Sequence, residues 1–180
     1  MHSSSRIEGE LDLIIAETDR LVLRHFNDQD THAIYLLNSI PEILTYIPGE
    51  PMSSISQAEQ ILNEVILPSY EELGYCRWAV EHKADKRVIG FCGPKFVTEF
   101  NEVELGYRYL PEYWGKGIGF EAGSKALEAF PQFGIDEAIA LILLGNKGSE
   151  ALARKVGMIE RGRDSYMGHK VTVFHKQLTS

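Results

Sequence analysis

Apolar residues recur along this chain in two rhythms, and the switches between them mark its elements. Arg20-Leu-Val-Leu-Arg24 alternates apolar and polar positions and reads as a first strand. Asp28 then caps a predicted helix running toward Asn38, with Ile34, Leu37 and Ile40 on its apolar side. Pro41, Pro48, Gly49 and Pro51 break the pattern into an irregular connection. Between residues 56 and 73 the spacing of Ile61, Leu62, Val65 and Ile66 predicts a second helix, ended or bent near Pro68. Residues 75–81 and 88–94 read as the strands of a hairpin around a polar turn. Residues 102–110 form the next strand, and residues 120–130 a helix with Ala122, Ala126, Leu127 and Phe130 inward. The apolar run 138–144 is short enough for a strand buried on both faces. Residues 146–156 are helical with Leu152 and Val156 inward and Gly157 as the C′ residue. Residues 158–163 and 171–177 close the chain as strands. The order β-α-α-β-β-β-α-β-α-β-β predicts an α/β (α+β) domain: a mixed sheet of about seven strands with helices on both faces, over residues 17–180. Residues 1–16 read as a loosely tied arm.

Composition narrows the function classes. A chain of 180 residues, 44% hydrophobic and 24% charged, suits one soluble domain with a sizeable core. No run approaches the roughly 20 apolar residues of a membrane span, and the first residues lack the apolar centre of an export signal. Cys76 and Cys92 fall in separate strand-like segments and read as reduced, buried thiols, which fits a cytoplasmic location. None of the six histidines pairs with a cysteine or carboxylate at a metal-ligand spacing, so no metal is expected. A net charge of −8 argues against general nucleic-acid binding. The same charge would suit a cationic substrate, or simply aid solubility.

Candidate chemistry concentrates between Glu104 and Ala122. The stretch begins as an alternating aromatic strand and ends with Gly115, Gly117 and Gly119 directly before a helix. Glycines at such a junction let successive backbone N–H groups turn inward, and the helix N-terminus adds positive potential, which together suit phosphate oxygens. Two familiar phosphate loops fail the spacing. Lys116 is followed by Gly117, so the hydroxyl of a P-loop is missing, and Gly115-Lys-Gly-Ile-Gly-Phe misses the third glycine of a dinucleotide fingerprint by one residue. A plain glycine turn joining strand to helix is the alternative reading.

The element order with a glycine loop after the fourth strand resembles the GCN5-related N-acetyltransferase (GNAT) family, and more narrowly its RimJ/RimL-like ribosomal-protein acetyltransferase branch. The likeness is carried by Thr18-Asp-Arg-Leu-Val-Leu-Arg24, Val88-Ile-Gly90, Glu104-Leu-Gly-Tyr107 through Tyr113-Trp-Gly-Lys-Gly117, Glu121-Ala122, Asn146-Lys-Gly-Ser149 and Arg154-Lys-Val-Gly-Met158. It covers nearly the whole chain from about Glu17 onward. It implies a mostly antiparallel sheet and direct transfer of acetyl from acetyl-CoA to a primary amine, either a protein N-terminus or a small molecule. Trp114 stands where the family's loop has Arg or Gln, as is usual for that branch.

By the same resemblance, the amides of Gly115, Lys116, Gly117, Ile118 and Gly119 would hold the pyrophosphate of coenzyme A. Lys116 adds a charge or is simply solvated. The backbone of Tyr109 and Leu110 would pair with the pantetheine arm, and Asn146 would contact it or shape the site. Glu104 matches a strand glutamate that acts as base, with a surface carboxylate as its alternative and Glu102 and Glu112 as weaker rivals. Ser149 matches a serine near the sulfur and would donate or relay a proton, or else make a capping bond. The tyrosine that many relatives carry seven residues after the helix asparagine is replaced here by Ala153. Residues 46–75 and the strands after Gly157 are expected to build the acceptor pocket. A non-catalytic acyl-CoA-binding module of the same fold is the alternative function, and another acyl group such as succinyl is a variant. Monomer and homodimer both fit.

Overall fold

In the computed structural model residues 13–180 are described, so most of the expected arm lies outside the described residues. The remainder of the arm is a strand. β1 (Ile14–Glu17) pairs antiparallel with β2 (Leu21–Arg24), which raises the sheet from the expected seven strands to eight. Its four residues carry no alternation to read in the sequence. α1 (Thr31–Leu37) follows a single 3-10 turn whose cap is Asn27, not Asp28: Asn27 Oδ1 accepts from the Gln29 amide, and Asp30 returns a bond to the Asn27 amide.

α2 (Pro41–Leu44) occupies the stretch read as irregular. A proline in the first turn gives up no hydrogen bond and already has helical φ, so Pro41 opens this helix instead of breaking it. The second long helix is a composite of α3 (Ile55–Ile61), a π-turn at Leu62–Ile66 and α4 (Leu67–Glu72). Pro68 explains the widened turn. Its ring would clash with the carbonyl four residues back and it offers no N–H, so the chain shifts to the Leu67-to-Leu62 bond, and Ser69 Oγ donates to the Val65 carbonyl at 2.6 Å.

The remaining elements follow the expected order: β3 (Trp78–His82), β4 (Arg87–Val97), β5 (Glu102–Tyr109), α5 (Ile118–Ala129), β6 (Glu137–Leu143), α6 (Lys147–Lys155), β7 (Ile159–Tyr166) and β8 (His169–Gln177). The strands lie in the order β1-β2-β3-β4-β5-β6-β8-β7. Every neighbouring pair is antiparallel except β5 and β6, which run parallel.

Strand alternation divides the core between the two faces of the sheet. Leu21, Leu23, Trp78, Val80 and Cys92 bury against Ile118, Ala122, Ala126 and Phe130 of the α5 layer. On the other face Ala79 packs with Ile34, Ala58, Leu62 and Ile66 of α1, α3 and the π-turn. Cys76 and Cys92 are both buried and unlinked. Among the described residues no helix is long and apolar enough to cross a membrane, and no group of three or more His, Cys, Asp or Glu side chains could hold a metal ion.

Candidate active site

A sheet interrupted at its centre creates the site. β5 and β6 share one pair of register partners, Glu104 and Ile139, and diverge beyond it. The closed end is fastened by Arg161 of β7, whose guanidinium makes two 2.7 Å bonds to both carboxylate oxygens of Glu102. The open end leads into a cavity of about 900 Å³ lined by β5, β6, the start of α5, α6, α2 and the β7–β8 turn. Because β5 alternates, Leu105, Tyr107 and Tyr109 point to the face covered by α5 and α6, and Glu104, Gly106 and Arg108 point to the opposite face. The split therefore joins two half-sites across the sheet.

The first half-site is mostly backbone. The chain leaves β5 through a 3-10 turn at Pro111–Tyr113 and enters α5 through Gly115 and Gly117, both left-handed at φ +71° and +76°. A Cβ at Gly115 would meet nothing within 4 Å, so the loop surface is open. Gly117 is the N-cap of α5 and supplies no side-chain cap, which leaves the amides of the first turn without intrahelical acceptors. Those amides and the helix dipole make a cradle that fits an anionic phosphate group. Gly119 lets α5 approach α6 closely: a Cβ there would come within 2.9 Å of a Leu152 methyl, which would have to shift.

The cradle is held from behind by a residue that the motif reading passed over. Arg20 bonds the Lys116 carbonyl at 2.9 Å and pairs with Glu121 at 2.8 Å. Glu121 also accepts from the Thr18 hydroxyl at 2.6 Å and from the Arg20 amide. Burial raises the Glu121 pKa, but these bonds outweigh it and the net direction is down. Charge at the mouth of the cradle is thereby neutralised by Arg20. Thr18 and Arg20 were visible only as part of the first strand.

Of the loop residues named from sequence, Trp114, Gly115, Gly117, Ile118 and Gly119 line the cavity. The Lys116 side chain does not; it lies over the Tyr113 ring, 5.5 Å from its centroid. Tyr109 lines the cavity, and its carbonyl accepts from Trp114 Nε1 at 2.8 Å, so the tryptophan braces the loop against β5. Leu110 is buried outside the cavity wall, with its amide donating to the Ile89 carbonyl at 2.8 Å. Ladder alternation turns the Tyr109 N–H the other way, toward the split.

Asn146 and Ser149 both line the cavity at the start of α6. Asn146 is the N-cap, its Oδ1 accepting from the Ser149 amide at 3.2 Å. That leaves the Ser149 hydroxyl free to bond elsewhere, and it lies 2.6 Å from the phenol oxygen of Tyr107. Burial pushes the Tyr107 phenol up to about 12, so it carries its proton at neutral pH. Ala153 is buried and contributes no polar group. A tyrosine from β5 thus stands in the cavity where the helix position offers none, and alternation with Tyr109 was the signal for it.

The second half-site consists of side chains. Arg77, just before β3, lies across a saddle formed by the cross-strand pair Gly93 and Gly106, where a Cβ at Gly106 would fall inside the guanidinium. Arg77 bonds the Gly93 carbonyl at 2.9 Å and Glu104 Oε1 at 2.5 Å. Glu104 is largely buried, and its Oε2 has no hydrogen-bond partner among the described residues. The rivals are placed elsewhere. Glu102 is held by Arg161, which depresses its pKa, and Glu112 is an exposed partner of Arg87 outside the cavity. Of residues 46–75 only Tyr46, Ile47 and Pro48 line the cavity, because α3 and α4 pack against α1 and the sheet instead. Tyr166 and Met167 line it from the strands after Gly157.

Comparison with known proteins agrees with this architecture. Residues 20–159 match the family described as the acetyltransferase (GNAT) domain. The chain is 33% identical over 150 residues to the uncharacterized N-acetyltransferase YoaA of Bacillus subtilis (strain 168), covering 82% of this chain and 84% of that protein. It is 31% identical over 147 residues to the uncharacterized protein YkkB of the same organism, covering 78% and 83%. Spermidine N-acetyltransferase from Vibrio cholerae, solved with CoA and spermine, superposes with a TM-score of 0.75 at 22% identity, over 89% of this chain and 97% of that one. Ribosomal-protein-S5-alanine acetyltransferase from Vibrio fischeri superposes with a TM-score of 0.74 at 18% identity, over 90% and 95%. The two solved structures bear on the fold alone.

Proposed function

This chain belongs to the acetyl-CoA-dependent GNAT acetyltransferases, and from that premise we propose that it transfers acetyl directly to a primary amine through the split between β5 and β6. The observation that carries the reading is the alternation of β5, which faces an anion cradle with one set of residues and a carboxylate with the other. Acetyl-CoA is the donor. The amides from Gly115 to Gly119 hold its pyrophosphate, the Tyr109 N–H meets the pantetheine arm, and Asn146 and Ser149 close the site from α6.

Chemistry in the split needs two proton movements. An ammonium has no lone pair, so Glu104, through Oε2 or one water, takes a proton from the acceptor before or during attack. The new N–C bond forms as the C–S bond of the thioester breaks. A backbone N–H of β5 facing the split stabilises charge on the thioester oxygen. The second proton that the acetylated nitrogen must lose ends on the departing thiolate, relayed through the Ser149 hydroxyl held by protonated Tyr107. Only the proton taken by Glu104 is therefore released. Tyr107 and Ser149 together take the place of the helix tyrosine. The acyl-CoA-binding module without turnover is not favoured, since a curated relative one third identical is itself named an N-acetyltransferase.

Free-thiol release from acetyl-CoA across a panel of amines and N-terminal peptides tests the reading. Amine-dependent release with one acetylated amine per thiol is the expected result, reduced roughly 100-fold by Glu104→Gln. Tight acetyl-CoA binding without turnover on any acceptor, unchanged by Glu104→Gln, would return the chain to a binding role. Competition among acetyl-, succinyl- and longer-chain CoA thioesters identifies the acyl group. A protein N-terminus and a small amine remain the two acceptor classes that the RimJ/RimL-like likeness and the neighbouring folds suggest.

A further inference from the structure

The floor of the acceptor half-site carries more positive charge than its carboxylate can balance. Arg77, Lys95 and Arg108 all line the cavity on the face opposite the cradle, around the single carboxylate of Glu104. Glu104 is paired with Arg77. Arg108 bonds only the neutral Asn38 Oδ1, at 2.6 Å, and lies over the Phe91 ring 5.2 Å from its centroid. Lys95 is exposed at the edge of this floor, and among the described residues no hydrogen bond or ion pair holds its ammonium. Glu42, the other carboxylate in the wall, is exposed on α2, and Lys155 belongs to the α6 side.

These cations sit uneasily in the absence of a counter-charge. Burial and the like charge of Arg77 depress Lys95, and the same two causes push Arg108 down to about 10. Arg108, half-buried over the Phe91 ring with a neutral partner, and Lys95, reaching the same floor from its exposed edge, would both be stabilised by an anion entering between them. Arg77 is seated by the backbone: the bare Gly106 leaves room for its guanidinium, and the Gly93 carbonyl accepts from it at 2.9 Å.

We propose that the acceptor is a small amine carrying its own carboxylate, which Lys95 and Arg108 grip while Glu104 receives the amine. The proposal rests on the acetyltransferase reading above. Register supports a short spacing between the two groups, because Lys95 is the direct ladder partner of Glu104, a separation of about 5 Å between backbones. A polyamine, with positive charge throughout, would meet like charge at every point of this floor except Glu104 and the exposed Glu42.

Matched acceptors test it: L-methionine against L-methioninamide for an α-carboxylate, 5-aminopentanoate against 5-aminopentanamide for a distal one, and spermidine as the cationic control. Thiol release and calorimetric binding to the CoA-saturated protein are both measured. One acid is expected to exceed its amide about ten-fold or more in kcat/KM and in affinity, and Lys95→Gln to bring that ratio close to one. Arg108→Gln repeats the test should Lys95→Gln fold poorly. Thiol release that favours spermidine or the amides overturns the carboxylate subsite while leaving the transferase reading intact. Selective binding of an acid without thiol release on any acceptor supports the subsite and contradicts the transferase reading. Equal binding of acid and amide, with or without turnover, overturns the subsite.

Discussion

One strand serves two half-sites made of different material. On the face of Tyr107 and Tyr109 the site is backbone: left-handed glycines, uncapped amides and a helix end, with side chains acting mainly as braces. On the face of Glu104 and Arg108 it is charge: guanidinium, ammonium and carboxylate spread over β4, β5 and the residue that leads into β3. On the proposed reading the backbone cradle would take the group common to every reaction of its kind, whereas the side-chain charge would vary with the acceptor. The comparison teaches that the two faces are built from separate material, so the proposed donor and acceptor recognition should be separable, with substitutions breaking one without the other.

The largest separation is expected at the cradle. Gly117→Val forces a β-branched residue into φ +76° at the N-cap of α5. Loss of even two charge-assisted amide contacts should weaken acetyl-CoA binding by about 100-fold or more, with far-UV circular dichroism retained. Glu104→Gln should lower kcat by about 100-fold with acetyl-CoA affinity preserved, checked by single-turnover kinetics beside calorimetry. A smaller effect, about ten-fold on kcat, is expected for Tyr107→Phe, because Ser149 loses its hydrogen-bond partner but keeps its own hydroxyl.

Tyr107 also sharpens the pH behaviour. Its phenol rises from 10 to about 12 in the fold through burial, so folding favours the protonated form. The stability this contributes is fully present below pH 10 and is lost as pH climbs toward 12. Thermal unfolding between pH 9 and 12 should show a steeper alkaline loss for wild type than for Tyr107→Phe. The pH–rate profile should show no alkaline limb from this group below about pH 10.

The difference between the half-sites also explains what could be read in the sequence. The cradle is contiguous and built from glycines whose spacing is itself the signal, so a glycine loop opening a helix was legible, and Trp114, Gly115, Gly117, Ile118 and Gly119 do share one cavity wall. Arg77, Lys95 and Arg108 are distant in the chain and share a face only through strand register, which no local pattern reports. Glu104-Leu-Gly-Tyr-Arg108 did contain the alternation that separates Tyr107 from Arg108, but not the partners across the ladder. The long elements were similarly visible through their periods. β1 is four residues without alternation, the π-turn before Pro68 keeps a helical pattern, and Pro41 uses a breaker as an opener, so those three escaped.

Acetyl-CoA titration by calorimetry into Gly117→Val and Lys95→Gln tests the separation of the two faces most directly. Gly117→Val should lose about 100-fold in affinity while Lys95→Gln stays within about two-fold of wild type. Equal losses in both variants, or full affinity in Gly117→Val, would contradict it.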